Sequence, residues 1–352
     1  MELTAGAETT ATNSSSVLPA PPPAVGITLL VVALLLGLPG NLFVVWTILF
    51  KLRKRSVTSL LILQLAAADT LVLLTAPFFL RTLVMGGAWE FGERMCQLLH
   101  YWCGVNMYTS VYVVSLMSAD RLLGVSRPLL TQRVRTKSHL WPAVTAVWVL
   151  ALLLSVPVPL YHRMHNHTCT EHHPSSGHQV FQYCLETVAA FLLPFSVLAW
   201  SYCCIARRLA EGRARWRQRA RGRTNRLIVL IVTTFLLLWA PYHLLNMLQV
   251  GAILGGSQPL QQQCRRARPV LIALAFLSSS INPLLYACAG STFTRSACLH
   301  CLTRLLEAPS SGASRREKSQ QPGEEAQSMK MGQRERGEVG GAGRAEEEEN
   351  HS

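Results

Sequence analysis

Charge is what this chain has least of. Only 15% of its 352 residues are Asp, Glu, Lys or Arg, which argues against two ordinary soluble domains of that total length. Acidic residues are missing altogether between Glu211 and Glu307, and Lys and Arg are missing from residues 1–24. The sequence has no His-Glu-x-x-His, no Gly-x-Ser-x-Gly elbow and no phosphate loop, so no enzyme is expected. It also lacks the internal repeats and paired interrupted segments of a secondary transporter. No charged, short leader pattern precedes the first apolar run, so no cleaved signal peptide is expected and that run would itself direct insertion.

What is present is apolar. Half of the residues are hydrophobic and the mean hydropathy is +0.25. Seven runs are long enough to cross a bilayer as helices: 25–50, 56–80, 95–119, 139–160, 180–206, 227–250 and 269–289. The expected fold class is an all-α membrane protein, a seven-transmembrane helix bundle over 25–289. A short amphipathic helix on the inner leaflet (290–308) follows it, and tails at 1–24 and 309–352 flank the whole. Basic residues set the orientation. Lys51 to Arg55, Arg127 to Lys137 and Arg207 to Arg226 follow the first, third and fifth runs, which puts the N-terminus outside and the C-terminus inside. The net charge of +14 then belongs mainly to a cytoplasmic rim facing anionic membrane lipids and acidic partners, with no nucleic acid implied.

The stretch Arg265-Arg266-Ala267-Arg268-Pro269 through Asn282-Pro283-Leu284-Leu285-Tyr286 organises the rest. As a helix it is about 27 Å long from Arg268 to Tyr286, close to the roughly 30 Å of a hydrocarbon core. Arginines mark one membrane face, and Pro283 weakens the helix towards the other. Asp69, inside the second run, is costly in lipid, and a carboxylate there is expected to serve function.

Cys96 and Cys169 both fall outside, where disulfides persist, and are expected to pair; two free thiols are the alternative. Cys264 is also outside, without an evident partner. The triplets Asn13-Ser14-Ser15 and Asn166-His167-Thr168 are glycosylation acceptors on the same side. Six histidines between His162 and His178 match no tight metal-ligand spacing, so no metal site is expected there. Residues 291–307 are amphipathic, with Cys298 and Cys301 on the apolar side as palmitoylation candidates. The polar tail 309–352 is expected to be disordered.

The order and spacing of Asp69, Cys96 with Cys169, Asp120-Arg121, Trp148, Trp239-Ala240-Pro241 and Asn282-Pro283 with Tyr286 resemble the rhodopsin-like G-protein-coupled receptors. Gly37-Leu38-Pro39-Gly40-Asn41, Thr75-Ala76-Pro77-Phe78-Phe79-Leu80, His100-Tyr101-Trp102-Cys103-Gly104-Val105 and Trp239-Ala240-Pro241-Tyr242-His243 are similar to the leukotriene B4 receptors within them. The resemblance implies a sodium ion, an allosteric modulator rather than a cofactor, held by Asp69, Ser110, Ser279 and Asn282 near Trp239. It also implies that Asp120 restrains Arg121 until helix six moves, with Tyr202, Pro283 and Tyr286 serving activation. The implied partners are a heterotrimeric G protein of the inhibitory class, arrestin and receptor kinases, at the plasma membrane. Leu122 departs from the usual tyrosine after the Asp-Arg pair, and helix six has no acid to hold Arg121.

The residues also bear on the ligand. Cys103 stands 17 residues before Asp120, where an amine receptor of this family needs a carboxylate, and 269–289 has no lysine for a retinal Schiff base. Arginines and histidines at the outer end, around aromatic residues, suit an amphipathic anion such as a fatty-acid derivative, and the resemblance implies leukotriene B4. The expected ligand-binding residues are His100, Tyr108, Glu186, Arg268 and Trp239, with Glu186 accepting from ligand hydroxyls. A chemoattractant-peptide receptor of the same fold is the alternative.

Overall fold

A computed structural model describes residues 23–210 and 218–290. Asn13, Cys298 and Cys301, the inner-leaflet helix beyond residue 290, Arg213 to Arg217 and both tails lie outside the described residues, as does the side chain of Tyr286.

Seven helical segments make the bundle. The first is α1 (Pro23–Trp46), extended by a wide turn at Thr47–Lys51. The second is α2 (Val57–Leu73) continued by α3 (Ala76–Val84), and the third is α4 (Gly92–Ser126). After the short α5 (Pro128–Val134), the fourth is α6 (Lys137–Leu154) with α7 (Pro157–Tyr161). The fifth runs as α8 (Ser176–Thr187), a wide turn at Val188–Leu192, then α9 (Leu193–Ala210). The last two are α10 (Gln218–Leu254) and α11 (Gln258–Gly290).

The interruptions follow the prolines. A proline has no amide hydrogen, and its ring crowds the carbonyl one turn back. Pro77 and Pro157 therefore begin new helical pieces, α3 and α7. The wide turn in the fifth segment sits just ahead of Pro194. Pro39, Pro241, Pro269 and Pro283 stay inside long helices.

Six of the segments are long and apolar enough to cross a membrane by length and composition. The remaining one, α4, has 35 residues, about 50 Å of helix. It is more polar because it packs at the centre, against α2, α6 and α9, and has Asn106, Thr109, Ser110 and Ser118 buried. Leu35, Trp200 and Leu237 instead point outward and are exposed, as expected of residues facing lipid. α1 closes the bundle against α11 at Gly37. A Cβ there would lie 2.4 Å from Ser280 Oγ and 2.8 Å from Leu73 Cδ1. Asn41 one turn on donates to the Ser279 carbonyl at 3.0 Å, so the Gly-Leu-Pro-Gly-Asn stretch is a helix-packing seam.

A two-stranded hairpin, β1 (His162–His165) and β2 (Thr168–Glu171), lies between α7 and α8. Its two-residue turn places Asn166 and His167 at φ 45° and 58°. Asn166 is exposed at that tip. The Cys96–Cys169 disulfide is formed, with Cα atoms 5.8 Å apart, and ties β2 to the start of α4. Cys264 is buried in α11 and does not compete for either cysteine.

Candidate functional site

A cavity opens among α4, α8, α10, α11 and the hairpin. It encloses about 730 Å³ of empty volume, including the part open to solvent. Val72, Phe79, Met107, Ile272, Ala275 and Phe276 supply much of its apolar wall, and Trp239 lies deepest along α10. His100, His162, Glu171, Gln182, Glu186 and Tyr242 supply the polar wall. The hairpin brings two of these together, because His162 and Glu171 are direct cross-strand partners.

The structure puts His100, Glu186 and Trp239 in the wall, as the sequence suggested. Two others lie beside the wall. Tyr108 is fully buried in the core beside the cavity, and its neighbour Met107 takes the wall position. Arg268 also stands outside the wall, because α11 begins at Gln258 and has already turned this residue inward. Its guanidinium carbon lies 4.5 Å from the centre of the Tyr183 ring and 5.7 Å from that of Tyr242. Nη1 donates to Asn246 Oδ1 at 3.0 Å, while Nη2 is buried without a hydrogen-bond partner.

A polar network joins these residues. Glu186 accepts from Gln182 at 3.0 Å, Tyr242 at 3.0 Å and Asn246 at 3.2 Å. Tyr183 donates to Glu171 at 2.5 Å. Burial acts to raise the Glu171 pKa, but Arg268, His162, the Tyr183 hydroxyl and His173 outweigh it and hold the carboxyl at about 2. Asn246 and Glu171 carry no pattern that singles them out in the sequence. One signal existed for Glu171: once Cys169 is pinned to α4, the residue two further along an extended strand shares its face.

Beneath the cavity is a second cluster. Asp69, 1% exposed, accepts from Asn282 at 2.8 Å and from Asn106 at 3.3 Å. Asn106 also donates to Ser110 at 3.3 Å and accepts from Ser279 at 3.4 Å. Trp239 donates to Ser278 instead, at 2.9 Å. The sequence reading missed Asn106, although it lies one helical turn before Ser110. No Lys or Arg pairs with Asp69 among the described residues, and its neighbours offer carboxylate, hydroxyl and amide oxygens. A hard monovalent cation such as sodium suits that donor set.

At the far end of α4, Asp120 pairs with Arg135 at 2.9 Å and with Arg121 at 3.7 Å. Thr58 of α2 accepts from both Arg121 and Arg135. Neither Thr58 nor Arg135 was singled out from the sequence. Tyr202 of α9 packs, partly buried, against the core cluster at this end, and Pro283 sits inside α11.

Seven helices around a cavity with apolar and polar walls, a buried acid below it and an Asp-Arg pair at one end define a class, and the chain belongs to it. Residues 40–286 match the family described as 7 transmembrane receptor (rhodopsin family). Within that family the chain is 48% identical over 297 residues to leukotriene B4 receptor 1 of Homo sapiens, covering 82% of this chain and 83% of that receptor. It is 41% identical over 292 residues to the human leukotriene B4 receptor 2, with 81% of each covered. It is 33% identical over 279 residues to the C3a anaphylatoxin chemotactic receptor of Oncorhynchus mykiss, covering 76% of this chain and 74% of that one. The chain is a multi-pass membrane receptor and not an enzyme.

Proposed function

We propose that the chain is a plasma-membrane receptor for leukotriene B4, with its N-terminus outside. Binding would activate a heterotrimeric G protein of the inhibitory class in chemotaxis and inflammation, and arrestin and receptor kinases would act on the activated state. The observation that carries the ligand reading is the amphipathic cavity. Its wall is largely apolar, interrupted by Asn106 and Ser279 above the Asp69 cluster, and its outer end is polar and backed by the buried Arg268, whose Nη2 has a hydrogen to give. A long acyl chain with a carboxylate at one end and hydroxyls along it fits that distribution. Glu186 accepts Tyr242 and Asn246 at Oε2 but only Gln182 at Oε1, which leaves Oε1 a lone pair for a ligand hydroxyl.

The test is a panel of leukotriene B4 and an anaphylatoxin-type peptide, read by nucleotide exchange on an inhibitory-class G protein. A response to leukotriene B4 alone supports the reading. A response to the peptide alone overturns it in favour of the chemoattractant-peptide alternative.

Asp69, Ser110, Ser279 and Asn282, joined by Asn106, would hold a sodium ion that favours the inactive arrangement. A cation shifts the equilibrium only through its preference for one state. Sodium should therefore lower agonist affinity in the native receptor and have no effect on Asp69→Asn. Equal sodium sensitivity in the two proteins would place the ion elsewhere.

Asp120, Arg121, Tyr202, Pro283 and Tyr286 would form the activation machinery. With no acid on α10, Thr58 and Asp120 supply the restraint on Arg121 that helix six does not. A hydrogen bond to a charged group is worth about 1.5–3 kcal/mol. Thr58→Val should therefore raise ligand-free nucleotide exchange by about tenfold or more. Unchanged basal exchange would show that the threonine does not restrain the switch.

A further inference from the structure

The cavity wall presents a charge problem to an acid ligand. Its carboxylates are Glu171 and Glu186, its basic groups are His100 and His162, and Arg268 is behind the wall. A ligand carboxylate entering in ionised form would bring a third anion to a partly desolvated site.

The two histidines are built alike. His100 Nδ1 lies 2.8 Å from the carbonyl oxygen of Cys96, and His162 Nδ1 lies 2.8 Å from that of Val158. A carbonyl oxygen only accepts, so each Nδ1 carries the ring proton and each neutral ring has a bare lone pair at Nε2. The rings are stacked, with centroids 4.0 Å apart and planes 27° from parallel. In that state neither can donate to a carboxylate. Either could with a proton on Nε2.

We infer that the stacked His100–His162 pair is a proton-binding site completed by the ligand: a carboxylate and one proton enter together, and the protonated Nε2 becomes a charged donor in a wall whose other donors are neutral. The inference rests on the lipid-acid reading above and specifies how that acid is recognised. Two imidazolium ions at this separation would repel, so the pair takes up a single proton.

The surroundings keep the ligand-free pair neutral. From α4 comes the Cys96–Cys169 bridge, which does not titrate, and from α3 and the loop after it come Phe79 and Trp89. The hairpin contributes Glu171, and His173 follows it. Tyr183 and Glu186 stand on α8, Tyr242 on α10 and Arg268 on α11. At the rim Arg163 and Glu93 are paired at 3.1 Å, and α7 ends in Tyr161. Burial depresses the His162 pKa, Glu171 and the Val158 carbonyl oppose it, and His173 and Arg268 depress it further. A bound anion adds a further opposing influence and raises the affinity of the pair for its proton. The complex then binds more protons than the free receptor, so ligand affinity rises as pH falls.

The experiment is saturation binding of tritiated leukotriene B4 to membranes carrying the full-length receptor, from about pH 8 to about pH 6. One-proton linkage limits the slope to about tenfold per pH unit, and a rise of roughly three- to tenfold per unit is expected within that range. The alcohol analogue, with the carboxylate reduced to CH2OH, should bind the native receptor without a slope. His162→Gln should leave a shallower slope, and His100→Gln/His162→Gln none, with surface expression checked for each. A flat native profile overturns the inference. So does an equal slope for the alcohol, or a full slope retained in the double variant, which would place the proton on Glu186 or Glu171. Absence of saturable leukotriene B4 binding at every pH overturns the lipid-acid reading together with the inference.

Discussion

Cys169→Ser is expected to remove saturable ligand binding and most surface expression. The bridge to Cys96 closes a stretch with a sequence separation of 73, and a crosslink of that span restricts the unfolded chain by about 4 kcal/mol. Its local effect matters as much. β2 is attached to the bundle through Cys169, and two residues on stands Glu171, opposite His162. Without the bridge both polar groups lose their fixed place over the cavity. Cys96 is fully buried beside Trp89 and Leu99, so its partner cannot be lost without disturbing that cluster. Flow cytometry of intact cells with radioligand binding is the check. A serine variant that binds normally would mean that the hairpin is held by its packing alone.

Arg268→Leu is expected to be nearly as damaging, for a different reason. Arg268 is a buried cation that acts on Glu171 and Glu186 through space, with no direct ion pair to either among the described residues, and it lies over the Tyr183 and Tyr242 rings. Removing it leaves those carboxylates less well balanced, at a cost below the about 3–5 kcal/mol of breaking a contact pair. Glu171 keeps part of its exposure, which reduces the cost further. Arg268→Leu/Glu171→Gln should recover much of the lost thermal stability by removing the stranded carboxylate. It should not recover tight leukotriene B4 binding, because the guanidinium behind the wall is still missing. If the double variant regained both, Arg268 would serve only the fold; if it regained neither, Glu171 would not be the carboxylate that Arg268 balances.

Much of the fold could be read from the sequence because lipid allows few solutions. A backbone in hydrocarbon must satisfy its own hydrogen bonds, so seven apolar runs give a helical bundle. Asp69 and the Cys96–Cys169 pair could be read for the same reason: an acid in an apolar run and two cysteines on the outer side have few other uses. The site was harder. Asn106, Thr58, Arg135 and Asn246 act through partners on other helices, and which helical face meets which neighbour is decided by packing. Tyr108 and Met107 show how fine that decision is, since one step along α4 separates a core position from the wall. Arg268 was recognised as important, but α11 starts earlier than the apolar run, and that turns it inward while Arg265 and Arg266 remain exposed.

The most direct test of the central claim compares leukotriene B4 with its methyl ester on the native receptor, by competition binding and by nucleotide exchange on an inhibitory-class G protein. A charge-assisted contact to the carboxylate is worth about 1.5–3 kcal/mol, so the acid should bind roughly 10- to 150-fold more tightly than the ester. Equal potency of acid and ester would contradict a site built to recognise an anionic lipid.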